Sequence, residues 1–486
     1  MSGLRSLLLA LVAFLAYLLL AQESGYGDGP GAILEIRAGA ALQGSIHFLY
    51  LPMVLGMSKL LGFAGLSLFQ AGYVTSALGT AVGIGLLHAA TCRLSSSSAP
   101  ANSPLLVAAL TACCPAVVFF ATAMEYHGPF FAFSSLATYA MVRLVQNPGW
   151  PWAVLVGLCT GIAYLAHASA HLLPWFLLLC FLALAKRSTD PGRSGLGHHL
   201  LLAVLLVVTH VLFVLLATYA LRTLLDARVS SASAVGWLQV QADRPYDRLA
   251  LLPVTFWYEF LWPCLLLSVT WVWSLRNRAQ HPLVWALLLA LGAHLSVCMV
   301  MVPGYNEHGA YQLPLVWLLA WITVRSLPTP AVVGVLICTA ALAVFQVELY
   351  DDPEPARLYA RGVRQVSGGE RLWLAIGKDF VEYEACALHL AEDVEPFDIA
   401  MIAVQPAAAV RGFLPQLDRI LQSKLDAGQQ VILSAGAYQT LAWVDPNAST
   451  AQRMSGAGVL KEHLETHYRL QPVSAPGFGG WRVGNK

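Results

Sequence analysis

The chain has 486 residues, 57% of them hydrophobic and only 11% charged, against roughly 25% charge in an ordinary soluble domain. That composition excludes a soluble globular protein and indicates a polytopic membrane protein. The net charge of +1 gives no basis for nucleic-acid binding.

Residues 4–21 are a Leu-rich stretch with Arg5 near its start. The run is long and lacks a good A-x-A cleavage site, so it is read as a retained anchor that sends residue 22 outward. Directly behind it comes Gly25-Tyr26-Gly27-Asp28-Gly29-Pro30. This stretch is too rich in glycine and proline to continue a helix, and it places the Asp28 carboxylate on a turn just outside the membrane. A plain surface turn is the competing reading. Residues 31–45, with Glu35 and Arg37, predict a short amphipathic helix. Residues 46–62 are apolar but short and contain Pro52 and Lys59, which predicts an interfacial or re-entrant helix and not a span.

Further apolar runs follow at 66–91, 104–121, 129–146, 151–167, 171–186, 199–221, 254–275, 282–302, 311–326 and 329–347. With the first helix they make about eleven spans. With the N-terminus inside, Arg5, Arg93, Arg143, Lys186, Arg187, Arg193, Arg276, Arg278 and Arg325 fall on the inner side. The outer connections 122–128, 168–170 and 303–310 carry no Lys or Arg, as the positive-inside rule requires. The outer loop 222–253 is the exception, but its arginines are balanced by Asp226, Asp243 and Asp247.

Beyond the last span the composition turns polar. Residues 348–370 are expected to be a linker, and 371–486 a small α/β domain on the outer side. Within it RLWLAIG, DIAMIAV and QVILSAG predict buried strands, and LPQLDRILQSKLDAG and GVLKEHLETHYRL predict helices. No Gly-rich phosphate fingerprint is present, so docking or packing is expected of this domain before catalysis. Of nine cysteines only Cys386 lies in this region, and no CxxC or zinc spacing occurs. The expected organisation is a transmembrane domain over 1–347, with a first outer loop at 22–65 and a long outer loop at 222–253, then the linker and the outer domain.

On this topology the ionisable residues gather on the outer face: Asp28, Glu35, Arg37, Glu125, His127, His167, His171, Glu307, His308, with Tyr311 beside them. Such groups near the hydrocarbon core are costly and point to function. Glu125-Tyr126-His127 offers a carboxylate and an imidazole, as substrate contacts, as metal ligands, or as a polar loop wetted by headgroups. His167 and His171 are four apart and share a face if the helix is continuous; two interfacial histidines at a helix junction explain them as well. Glu307 and His308 lead into the helix that starts near Leu313-Pro314-Leu315. Arg244 and Arg248, beside Pro245, present forks suited to phosphate, or pair within their own loop with Asp243 and Asp247.

Four stretches resemble the GT-C superfamily of membrane glycosyltransferases, in particular the bacterial protein-mannosyltransferase and aminoarabinose-transferase type. The first is Tyr26-Gly27-Asp28-Gly29, followed by His47-Phe48-Leu49-Tyr50-Leu51-Pro52 and Leu60-Leu61-Gly62. The second is Glu125-Tyr126-His127 before Pro129. The third runs from Gly157 through Gly161 and Tyr164 to His167, with Pro174 soon after. The fourth is Tyr311-Gln312-Leu313-Pro314-Leu315. The resemblance covers roughly residues 1–350. Two positions depart from the family: Gly29 follows Asp28 where a second acidic residue is common, and Ala310 stands where an arginine is common.

The resemblance implies transfer of a sugar from a polyprenyl-phosphate donor to a lipid, glycan or protein acceptor at the outer face of a bacterial inner membrane. It implies Asp28 as general base, with Arg37, Arg244 or Arg248 meeting the phosphate. Glu125, His127, Glu307, His308 and Tyr311 are expected at the substrate. Glu125, His127 and His308 are also candidate ligands for a divalent metal ion, the one cofactor in view. The rival readings are a transporter or lipid-binding protein, and a GT-C-like scaffold subunit without catalysis.

Overall fold

The computed structural model describes residues 2–25, 27, 29–39, 48–94, 103–185, 196–225, 308–377, 380–390, 393–403, 407–442 and 450–486, with Trp262, Leu266, Leu287, Gly292 and Ala293. The expected spans at 254–275 and 282–302 lie outside this set apart from those five residues. The chain divides into two units. One holds Met1–Gln22 and Gly39–Tyr350, the other Glu23–Ala38 and Asp351–Lys486.

The first unit is helical among its described residues. Its helices are α1 (Ser2–Leu19), α3 (Tyr50–Leu61), α4 (Leu68–Leu94), α5 (Ser103–Ala112), α6 (Pro115–Thr122), α7 (His127–Gln146), α8 (Trp150–Ala166), α9 (Leu173–Ala185), α10 (Leu196–Leu225), α11 (His308–Ser326) and α12 (Thr329–Tyr350). Four helices among the described residues are long and apolar enough to cross a membrane, or up to five if the bent pair Ser103–Ala112 and Pro115–Thr122 is one span. The expected count of about eleven is not reached there. Two causes are local. The stretches Trp150–Ala166 and Ser169–Leu184 are apolar but short, and the run 104–121 is broken by 57°. The break falls where Cys114, at φ −57° and ψ 130°, precedes Pro115, because a proline disfavours helical backbone in the residue before it.

Helices in such a unit gain little from hydrophobicity alone and pack through small residues. α4 and α7 meet this way. A Cβ added at Gly128 would lie 2.2 Å from the Ser76 carbonyl oxygen. α8 and α10 do likewise: a Cβ at Gly157 would lie 2.6 Å from the Leu206 carbonyl oxygen, and one at Gly161 would lie 2.3 Å from the Phe213 ring. The two glycines of the third resemblance stretch thus seat a neighbouring helix.

The second unit is an α/β sandwich around a five-stranded sheet in the order β2-β1-β3-β5-β4. The strands are β1 (Leu372–Ile376), β2 (Val394–Asp398), β3 (Gln430–Ser434), β4 (Tyr468–Ala475) and β5 (Phe478–Asn485). β1 pairs in parallel with β2 and β3, and β5 runs antiparallel to β3 and β4. All five residues of the central β1 are buried, as expected for a strand covered on both faces. Trp373 and Ala375 point to one core with Val431, Leu433, Leu417 and Leu460. Leu372, Leu374 and Ile376 point to the other, with Tyr359, Val363, Cys386 and Phe478.

Three expectations need correction here. The polar stretch 348–370 contains a helix, α13 (Glu354–Ser367). Its buried Ala356, Tyr359, Ala360, Val363 and Ser367 line one face, so it belongs to the core and is no linker. The strand placed on DIAMIAV is β2, which ends at Asp398, and the apolar residues after it form a helical turn, Ala400–Ala403. The last predicted helix stops at His467, and Tyr468 begins β4 of a hairpin whose turn carries Gly477 at φ 79°. Residues 23–38 of the expected first outer loop, including α2 (Gly29–Arg37), form part of this second unit.

Candidate functional site

The glycine contact between α4 and α7 fixes the turn in front of α7. Ser76 Oγ donates to the Glu125 carbonyl at 2.6 Å, and the Glu125 amide donates back to Ser76 Oγ at 3.1 Å. One hydroxyl therefore ties down both backbone groups of Glu125. Pro129 sits in the first turn of α7, where a missing amide proton costs no helical bond. Glu125 and His127 are 2% and 1% exposed, so the turn delivers a carboxylate and an imidazole into the interior. The His127 ring lies 4.4 Å from Phe120 and 4.2 Å from Tyr126.

α8 ends opposite. His167 leaves the helix with extended backbone, φ −156° and ψ 131°. Its Nδ1 accepts from the Ser169 amide at 3.2 Å. An accepting Nδ1 places the ring proton on Nε2. The ring stacks on Tyr126 at 5.1 Å and 13°. It lies 5.0 Å from His127 and 5.3 Å from Phe130. Tyr311, in the first turn of α11, meets it edge-on at 5.0 Å. Tyr50, at the start of α3, meets Tyr126 edge-on at 6.3 Å, and the Leu49 amide donates to the Leu165 carbonyl at 2.9 Å. One aromatic or histidine ring from each of the four resemblance stretches, Tyr50, Tyr126, His167 and Tyr311, thus joins a single chain of ring contacts.

Of the residues expected at the site, the structure brings together Glu125, His127 and Tyr311. Asp28, Arg244, Arg248 and Glu307 lie outside the described residues, as does the side chain of His308. Arg37 lies on α2 in the second unit, where its Nη1 donates to the Ala387 carbonyl at 2.7 Å. Of the two readings of His167 and His171, the helix junction holds and the facing pair does not form, because the helix ends at Ala166. His171 belongs to a separate polar chain. Thr160 Oγ1 donates to the Gly157 carbonyl at 2.9 Å, which leaves it to accept from His210 Nδ1 at 3.1 Å. His210 Nε2 then accepts from His171 Nδ1 at 3.3 Å.

Sequence reasoning missed Ser76 and His210. Ser76 had a signal: with Gly79 and Gly83 it makes a small-residue face at helical spacing. Among the described residues no group of three or more His, Cys, Asp or Glu side chains converges to hold a metal ion. Glu125 and His127 supply two donors of the proposed set, and the side chain of the third, His308, is not described.

In the second unit the C-terminal ends of β1 and β3 form the crevice where open α/β sheets take ligands. A carboxylate of the chain fills it. Glu382, 3% exposed, accepts from the Gly377 amide and from Ser434 Oγ at 2.8 Å each, and from the Gly436 amide at 3.2 Å. On the same short helix, α14 (Phe380–Glu384), burial pushes the Glu384 carboxyl up to about 7, opposed by a bond from the Gly25 amide and aided by Asp351 and Asp352.

The whole chain superposes on a known membrane fold. It covers 99% of its own length and 97% of the crystal structure of ArnT from Cupriavidus metallidurans bound to undecaprenyl phosphate, at a TM-score of 0.50 and 13% identity. The fold is that of ArnT. The apo-state crystal structure of the same ArnT is matched over the same shares at a TM-score of 0.46 and 13% identity. No protein-family model and no curated protein matches the sequence. With this fold and its apolar helices the chain is an integral membrane protein.

Proposed function

We propose that this protein is a glycosyltransferase that moves a sugar from a polyprenyl-phosphate donor to an acceptor hydroxyl or amine at the outer face of the membrane. One observation carries the reading. On an ArnT-like fold, segments far apart in sequence bring Glu125, His127, His167 and Tyr311 together around Tyr126. A buried carboxylate and imidazoles inside an apolar helical unit are costly and suit a site that orients a polar substrate. That the ArnT crystal structure holds undecaprenyl phosphate favours a polyprenyl-linked donor here.

In the proposed reaction the acceptor oxygen or nitrogen attacks the anomeric carbon while the bond from that carbon to the phosphate oxygen breaks. Polyprenyl phosphate leaves, and Asp28 takes the acceptor proton. A single displacement inverts the anomeric centre. Arg244 and Arg248 meet the phosphate, whose fork-shaped contacts suit guanidinium. Glu125 and His127, with His308, Glu307 and Tyr311, hold the sugar. A divalent ion bound by Glu125, His127 and His308 would supply charge stabilisation at the leaving phosphate.

The test is transfer of labelled sugar from polyprenyl-phosphate hexoses and pentoses in membranes, comparing wild type with Asp28→Asn at equal expression. Transfer that collapses in the variant supports the reading. Equal transfer by both removes Asp28 from the chemistry. No transfer from any donor returns the transporter and scaffold readings. Repeating the assay with a chelator separates direct sugar binding by Glu125 and His127, which is unaffected, from binding through an ion.

A further inference from the structure

From the sequence, substrate docking or packing is expected of the C-terminal domain, yet its compact unit includes residues 23–38. The segment is held at both ends. Asp351 Oδ1 accepts from the Glu23 amide at 2.9 Å and the Ser24 amide at 2.8 Å, and Oδ2 accepts from Glu23 at 3.1 Å. Arg357 Nη2 pairs with Glu23 Oε2 at 2.9 Å. The Gly25 amide donates to Glu384, a residue 6% exposed. Beyond the turn, Gly29, Pro30, Ala32 and Ile33 are buried, and Leu34 packs into the core of Tyr359, Ile376 and Cys386. Arg37 closes the far end on the Ala387 carbonyl.

Gly25 and Pro30 approach each other closely. A Cβ at Gly25 would meet Pro30 Cγ at 2.5 Å and Glu384 Cγ at 3.3 Å, so the proline ring rests on the glycine. Gly27 has φ 57°, the left-handed region that glycine adopts without strain. In the sequence Asp28 stands between Gly27 and Gly29.

We propose that the C-terminal domain is the mount of the stretch 23–38, with Asp351 and Glu384 acting as positioning residues for the backbone that precedes Asp28 in the chain. The inference rests on the reading of Asp28 as general base. It gives the domain a role in the chemistry without substrate contact: its π-turn (Ala385–His389) and α13 hold the backbone on either side of the base. A misplacement on the order of 1 Å can cost about 100-fold in rate, so holding the loop matters more than its distance from the domain core would suggest.

The experiment uses the full chain, wild type against Asp351→Ala, with two readouts. Hydrogen exchange in detergent should rise about tenfold or more over peptides within 23–38 while those from β1 and β3 exchange as in wild type. In proteoliposomes kcat for transfer should fall about tenfold or more, with KM for the donor unchanged to about twofold. If Asp351→Ala does not fold, Asp351→Asn keeps one acceptor oxygen and serves the same comparison. Unchanged exchange over 23–38 overturns the mount. Raised exchange with unchanged kcat, or a change in KM alone, overturns the positioning role. A wild type without transfer activity overturns the proposed reaction and the positioning role with it. The exchange readout still decides the mount in that case.

Discussion

Tyr126 and His167 lie nearly parallel, ring centroids 5.1 Å apart and planes inclined by 13°. One residue comes from the turn that opens α7 and the other from the end of α8, so the stack joins two helices where the polar side chains collect. His167→Ala should destabilise the protein by about 1–3 kcal/mol, counting lost area and the aromatic pair. His167→Phe should recover most of that stability but lower sugar transfer about tenfold or more, since it lacks the Nε2 proton. Thermal unfolding in detergent and the transfer assay check the two halves separately.

Ser76 carries both backbone bonds of Glu125. Ser76→Ala leaves a buried amide and carbonyl without that partner, a cost of about 1–3 kcal/mol. Transfer should fall with it as the Glu125 turn loosens. Gly128→Ala has no room at all, with 2.2 Å to the Ser76 carbonyl oxygen, and should yield little folded protein in a detergent size-exclusion assay.

Glu384 gives the C-terminal domain a pH dependence. Its carboxyl titrates at about 7 when folded against an ordinary 4.5. Between these values the folded state holds a proton that the unfolded chain has released, so stability declines as pH rises through that window and levels off above it. Glu384→Gln should flatten this slope and stabilise the domain by about 1–3 kcal/mol at high pH. Denaturation followed by Trp fluorescence at several pH values measures it.

Glu382 fills the crevice at the ends of β1 and β3. Glu382→Ala exposes the Gly377 and Gly436 amides and Ser434, and should cost about 2 kcal/mol or more. Sulfate should then raise the melting temperature of the variant more than that of wild type, because an anion can replace the missing carboxylate at donors of this kind.

Much of the fold was legible because apolar run length and periodicity report burial directly. The runs at 66–91, 129–146 and 199–221 became α4, α7 and α10, and RLWLAIG and QVILSAG became β1 and β3. The failures have separate causes. β2 is an edge strand, and it carries Glu395 and Pro396, so it lacks an apolar signature. α13 was hidden by its charged face, although its buried face has clear helical spacing. Glu125, His127 and Tyr311 could be singled out because polar residues in an apolar unit stand out. Ser76 and His210 depend on how helices meet, which no single run encodes. The assignment of residues 23–38 to the C-terminal fold is a contact across more than three hundred residues and has no local signal.

The C-terminal domain is built from two stretches of chain separated by residues 39–350 of the membrane unit. It therefore cannot be inherited as a cassette. A recombination that exchanged everything after Tyr350 would deliver a sheet lacking the segment that covers Tyr359 and Ile376 beside Leu34, and would strand a recipient's own first loop on a foreign seat. Substitutions at the contacts between 23–38 and 351–390 are therefore expected to be energetically coupled, even though hundreds of residues lie between them.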